Sequence, residues 1–109
     1  MAEIGKVTFS GKSGKRYEFK VYTLDDKLFP SAAVYAVTRR TLEGLRVNHE
    51  RIFIGQTGNL EETFKAHPQA SCFKRENANC VCVHLYLDEQ SRRAMEADLL
   101  AKTHPVCNA

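Results

Sequence analysis

The chain has 109 residues, and 16 Lys and Arg against 13 Asp and Glu leave it at +3. That length predicts one domain with a small core that needs no covalent staple. No stretch approaches the ~20 apolar residues that span a bilayer, which excludes a helical membrane anchor, and so slight a positive surplus permits a phosphate-rich partner without demanding one.

The opening residues, Met-Ala-Glu-Ile-Gly-Lys, lack the apolar run of a signal peptide, so the expected location is cytoplasmic. Cys72, Cys80, Cys82 and Cys107 are then expected to remain reduced thiols, without a disulfide.

In "KVTFSGKSGKRYEFKVY", Val7 and Phe9 precede a Gly-Lys-Ser-Gly turn, and Tyr17, Phe19 and Val21 follow it at a spacing of two. This predicts a β-hairpin with one buried face and a basic tip. "GKSGK" lacks both the spacing and the following helix of a phosphate-binding loop. "TLDDKLFPS" reads as a connection. "AAVYAVT" reads as a buried strand, with Val34 and Ala36 on one face and Tyr35 and Val37 on the other.

"RRTLEGLRVNHE" reads as a polar loop or hairpin arm, and "RIFIG" as the next strand. Thr57 or Asn59 is placed to cap a helix whose Leu60, Phe64 and His67 share one face, with Pro68 opposing its continuation. "SCFKRENAN" is expected to be a loop and "CVCVHLYL" a strand. Asp88 is then the N-cap of a final helix with Glu89 in its first turn and Lys102 in its last. Cys80, Cys82 and His84 share one strand face, but without zinc-site spacing they are expected to be ordinary buried groups. The element order predicted is β-β-β-β-α-β-α.

Four polar residues stand where packing alone would not ask for them: Tyr35 inside an apolar strand, His67 on an inner helix face, Glu96 within "AMEADLL", and Asn108 just past the last helix. With "AAVYAV", "RIFIGQTGNLEETFKAH" and "AMEADLLAKTHPVCN" in this order, residues 32 to 108 resemble the GIY-YIG nuclease superfamily. The resemblance lies in several short motifs together, and it leaves the hairpin and connection of residues 1–31 outside. It implies an α/β (α+β) single domain with a small central three-stranded sheet flanked by helices, here preceded by the N-terminal β-hairpin.

The resemblance further implies metal-dependent hydrolysis of DNA phosphodiesters. Glu96 would hold Mg²⁺ or Mn²⁺, with water and substrate oxygens completing the shell. Tyr35 would activate the attacking water, Asn108 would help to fix the site, and His67 matches the helix histidine. Arg39, Lys65, Lys74 and Arg75 are the cations expected to contact nucleic acid, Arg39 because it follows Tyr35 at even strand spacing.

Three positions depart from the pattern. Ala33-Val34-Tyr35 stands for Gly-Ile-Tyr, Phe53-Ile54-Gly55 for Tyr-Ile-Gly, and Thr63 for a catalytic Arg. Threonine cannot make a bidentate, charge-assisted contact with phosphate, and losing one such group commonly costs on the order of 10²–10³ in rate. The expected function is therefore an impaired endonuclease. The alternatives are a non-catalytic nucleic-acid-binding module or a protein-interaction domain on the same scaffold.

Overall fold

The structure, a computed structural model, describes residues 2–108. Five strands, β1 (Gly5–Ser10), β2 (Arg16–Thr23), β3 (Ala33–Glu43), β4 (Arg46–Thr57) and β5 (Cys80–Leu85), form one sheet in the order β1-β2-β5-β3-β4. All four pairings are antiparallel. The helices are α1 (Leu60–Lys65), α2 (Ala70–Arg75) and α3 (Glu89–Lys102), followed by a closing 3₁₀ turn, Val106–Asn108. The fold is thus α+β.

Strand alternation divides the core into two layers. Phe9, Phe19, Val21, Val34, Ala36 and Ile54 point to the side covered by Met95 and Leu99 of α3. Tyr22, Tyr35, Val37, Val81 and Val83 point to the other, where Leu60 of α1, Phe73 of α2 and Cys107 of the closing turn cover them. The predicted separation of Val34 and Ala36 from Tyr35 and Val37 is present. A bulge where the register shifts between Val37 and Thr38 leaves Ile52 as the extra residue of β4, and it joins the Tyr35 layer. Burying Met95 and Leu99 stabilises the α3 layer by about 1.5–3 kcal/mol for each side chain.

The three-stranded sheet expected for residues 32–108 is the β5-β3-β4 part of this larger sheet, because β2 pairs with β5 from Lys20↔Val83 to Thr23↔Cys80. The N-terminal hairpin therefore adds two strands to the same core. Its tip is docked too: Asp98 of α3 accepts hydrogen bonds from the Ser13 N–H at 2.9 Å and the Tyr17 hydroxyl at 2.7 Å.

Two local expectations are corrected. Residues read as the loop "SCFKRENAN" include most of α2, whose Cys72 and Phe73 are buried. The preceding helix ends at Lys65, so His67 lies beyond it in the connection to α2. Asn59 caps α1, its side chain accepting from the Glu62 N–H at 3.1 Å, and Asp88 caps α3 through the Ser91 N–H at 2.9 Å.

The expectation that every cysteine stays reduced is overturned as well. Cys72 and Cys107 are joined as a disulfide with a Cα–Cα distance of 5.9 Å, tying α2 to the closing turn. Their separation of 35 residues gave the sequence no local sign of proximity. Cys80 and Cys82 are free and buried, as expected. Among the described residues, no three His, Cys, Asp or Glu side chains converge in a way that could hold a metal ion.

Candidate functional site

Tyr35 lies on β3 opposite Gly55 of the edge strand β4. A Cβ built on Gly55 would stand 2.8 Å from the Tyr35 hydroxyl and 2.8 Å from the Phe53 ring, so only glycine lets the phenol lie across the strand. Around that phenol, Phe53 stacks at a centroid distance of 6.0 Å and Phe64 meets it edge-on at 5.0 Å. Phe53 thus fills an aromatic position without supplying a hydroxyl. Tyr35 is only 3% exposed.

The hydroxyl of Tyr35 is 2.8 Å from Nε2 of His67. The His67 ring receives the Gln69 N–H at Nδ1, 3.0 Å away, so Nδ1 carries a lone pair. Burial lowers the His67 pKa from its ordinary value, which favours the neutral ring. A neutral ring with a free lone pair at Nδ1 carries its proton at Nε2. His67 therefore donates to the Tyr35 oxygen, leaving the phenol's own proton available to another acceptor.

Glu96 is half-buried on α3. Burial pushes its carboxyl above the usual carboxylate range, while Arg93 and the Gln56 N–H pull the other way. It forms no ion pair among the described residues. Arg93 pairs instead with Glu89 at 3.1 Å, and Arg92 turns toward Gln56. Tyr35 is also shifted upward, first by burial and then by the negative charge of Glu96. Tyr35 and Glu96 are thus electrostatically coupled although they belong to different layers of the core.

Asn108 holds the backbone of this region. Its Oδ1 accepts from the Ile54 N–H at 2.9 Å, and its Nδ2 donates to the Ile54 carbonyl at 2.8 Å. The Cys72–Cys107 bridge fixes the residue beside it. Asn108 therefore acts on the site by positioning β4 next to Gly55.

Three of the four cations expected to contact nucleic acid have partners of their own. Arg39 pairs with Glu50 and donates to the Glu76 carbonyl at 3.0 Å. Lys65 pairs with Glu62 at 3.1 Å, and Arg75 donates to Cys72 Sγ at 3.3 Å. Lys74 lines the same cleft as His67 and Phe64. Thr63, at the position where an arginine was expected, shares a 2.6 Å hydroxyl–hydroxyl hydrogen bond with Thr57.

Sequence reasoning missed the structural weight of Arg92. Only 5% exposed, it donates to Gln56 Oε1 at 3.0 Å and to the Tyr86 and Leu87 carbonyls at 3.0 and 2.6 Å. It locks the start of α3 to β4. Its spacing of three and seven before Met95 and Leu99 was the one available sign that it faces inward.

No protein-family model, no curated protein and no solved structure matches the chain.

Proposed function

We propose that this domain is a GIY-YIG-type DNA endonuclease whose site is impaired by Thr63 and Phe53. The observation that carries the reading is the Tyr35–His67 hydrogen bond lying over Gly55, with the Tyr35 hydroxyl under the influence of the Glu96 charge. Packing alone would not ask for a phenol and an imidazole to pair beside a side-chain-free point on an edge strand, within the field of a carboxylate carried by α3.

The donor set suits a hard cation with few protein ligands. Glu96 offers one half-buried carboxylate whose pKa burial raises, so its charge is under-compensated there and a bound cation would offset it. Mg²⁺ accepts one protein carboxylate with water and phosphate oxygens. When bound, it would supply charge neutralisation at the phosphate and acidify water. Tyr35, accepting from His67, would hold a hydroxyl toward the reacting phosphate. Asn108 would keep Gly55 and the strand beneath it in place.

A second reading draws on a different observation. Thr63 is engaged by Thr57, and Arg39 and Lys65 are taken up by Glu50 and Glu62. This favours a module that binds nucleic acid on the scaffold without cleaving it.

Plasmid nicking with Mg²⁺ or Mn²⁺ by wild type, Glu96→Ala and Thr63→Arg separates the readings. Nicking abolished by Glu96→Ala is the expected result for an impaired enzyme, with Thr63→Arg raising the rate. Silence in all three variants would discard the nuclease reading.

A further inference from the structure

The β3–β4 hairpin is longer than the sheet needs. Pairing with β5 stops at Thr38↔Cys80, whereas β3 and β4 continue to pair with one another out to Glu43↔Arg46. Asn79 clamps the root, accepting from the Arg40 N–H at 2.8 Å and donating to the Arg40 carbonyl at 3.1 Å. Beyond that clamp every residue from 41 to 48 is exposed. Gly44, at φ +62°, opens the two-residue turn as the first central residue, where a left-handed backbone is required. The result is a rooted two-stranded arm standing in solvent.

Its chemistry suits an anionic groove. Leu42 is 64% exposed and Leu45 fully exposed, together forming an apolar tip with no partner in the fold. Arg40 lies on one face beside Val47 and His49, and a strand step places Arg46 on the other. Among the described residues neither arginine has an ion pair, although Glu43 stands opposite Arg46, whereas Arg39 is taken up by Glu50. Two strands about 4.8 Å apart with side chains on both faces approach the ~12 Å width of the B-DNA major groove and exceed the ~6 Å minor groove.

We propose that this arm is a DNA-reading ribbon that enters the major groove, with Arg40 and Arg46 facing the two phosphate walls and Leu42 and Leu45 at the base edges. The proposal rests on the reading of the domain as one directed to DNA and adds the element that would engage the duplex. In the major groove the apolar feature of a base pair is the C5 methyl of thymine, so the tip selects thymine. Seven strand steps at ~3.4 Å give the arm a reach of at most about 24 Å from Tyr35 to Leu42.

The test is duplex binding by fluorescence anisotropy in EDTA, where cleavage cannot contribute. Wild type, Arg40→Ala/Arg46→Ala and Leu42→Ser/Leu45→Ser are compared on a thymine-rich duplex and on the same duplex with deoxyuridine in place of thymine. The substituted side chains are exposed or partly exposed, so the fold should tolerate them. The arginine pair should cost about tenfold or more in affinity and lower the salt slope by about two. Wild type should bind the deoxyuridine duplex several-fold more weakly, and the leucine pair should erase that difference.

Affinity unchanged in both double variants would overturn the proposal, as would failure of wild type to bind duplex at all. Loss of self-association in the leucine variant, seen by light scattering without loss of DNA affinity, would assign the arm to a second copy of the chain and also overturn it. Nicking separates this from the nuclease reading. Arm-dependent binding without nicking, even in Thr63→Arg, sinks only the nuclease, whereas nicking and binding indifferent to the arm sink only the ribbon.

Discussion

The imidazole of His67 and the phenol of Tyr35 meet at 2.8 Å with the ring nitrogen as donor, because the Gln69 N–H already occupies the other ring nitrogen. The direction matters. A donated hydrogen bond stabilises a phenolate, but burial and the Glu96 charge both oppose its formation. At neutral pH Tyr35 is therefore a protonated hydroxyl, held in place and with its own proton to give. Nitrogen-detected NMR should find His67 in the Nε2–H form at pH 7. A protonated Nδ1 would reverse the roles of the pair.

Gly55→Ala tests the surface on which Tyr35 rests. The added methyl would meet the phenol and the Phe53 ring at 2.8 Å, and both are packed by other aromatic side chains. Overpacking of this kind costs about 1–3 kcal/mol. Urea denaturation should show that loss, together with a changed Tyr35 environment in the NMR spectrum. A variant as stable as wild type would mean that the Tyr35 layer yields easily.

Acid should weaken the fold through its histidines. Burial lowers the folded-state pKa of His67, and burial followed by repulsion from Arg40 lowers that of His49. Below about pH 6.5, the unfolded value, the unfolded chain binds more protons. Their contribution is fully present above that pH and is lost as pH falls toward the folded values. His67→Gln should flatten part of the decline in Tm between pH 7 and 5, and a decline identical to wild type would rule out His67 as a source.

Glu96 should act with the opposite sign. Its folded pKa is raised, so the neutral acid fits the fold better, and that advantage is present below about pH 4.3 and lost as pH rises through the folded value. Glu96→Gln should consequently have a higher Tm than wild type at pH 7, with the gap closing near pH 4. Mg²⁺ should raise the Tm of wild type but not of the Gln variant, more strongly at higher pH. Indifference of wild type to Mg²⁺ would remove the cation from the proposed site.

Breaking the Cys72–Cys107 bridge should loosen both the chain and the site. The closed loop spans 35 residues, for which chain entropy gives a stabilisation of about 4 kcal/mol. Cys107→Ser should lower Tm and speed hydrogen exchange at the Ile54 N–H, which Asn108 otherwise occupies. Unchanged exchange at Ile54 would show that Asn108 needs no covalent help.

Local signals in the sequence carried much of this architecture. Alternation marked the hairpin around Phe9 and Phe19, and Asp88 and the Thr57/Asn59 alternative announced their helices because a cap is a contact a few residues long, with Asn59 the one that makes it. Tyr35 and Glu96 stood out as polar groups in apolar settings. What escaped depends on distance or context. The α2 helix has only one and a half turns, follows Pro68, and is held by burial of Phe73 more than by pattern. The disulfide and the Asn108–Ile54 contact join residues 35 and 54 positions apart. The cations Arg39, Lys65 and Arg75 looked free in a linear reading, but folding gave each a neighbour.

An edge strand such as β4 ordinarily offers its outward N–H and C=O groups to any passing chain. The carboxamide of Asn108 gives Ile54 both hydrogen bonds that a sixth strand would bring at that residue. The closing turn is therefore a stopper as well as a support, and the bridge to α2 keeps it seated. A chain that has lost it would present an open docking edge beside Gly55, where growth by strand addition could begin.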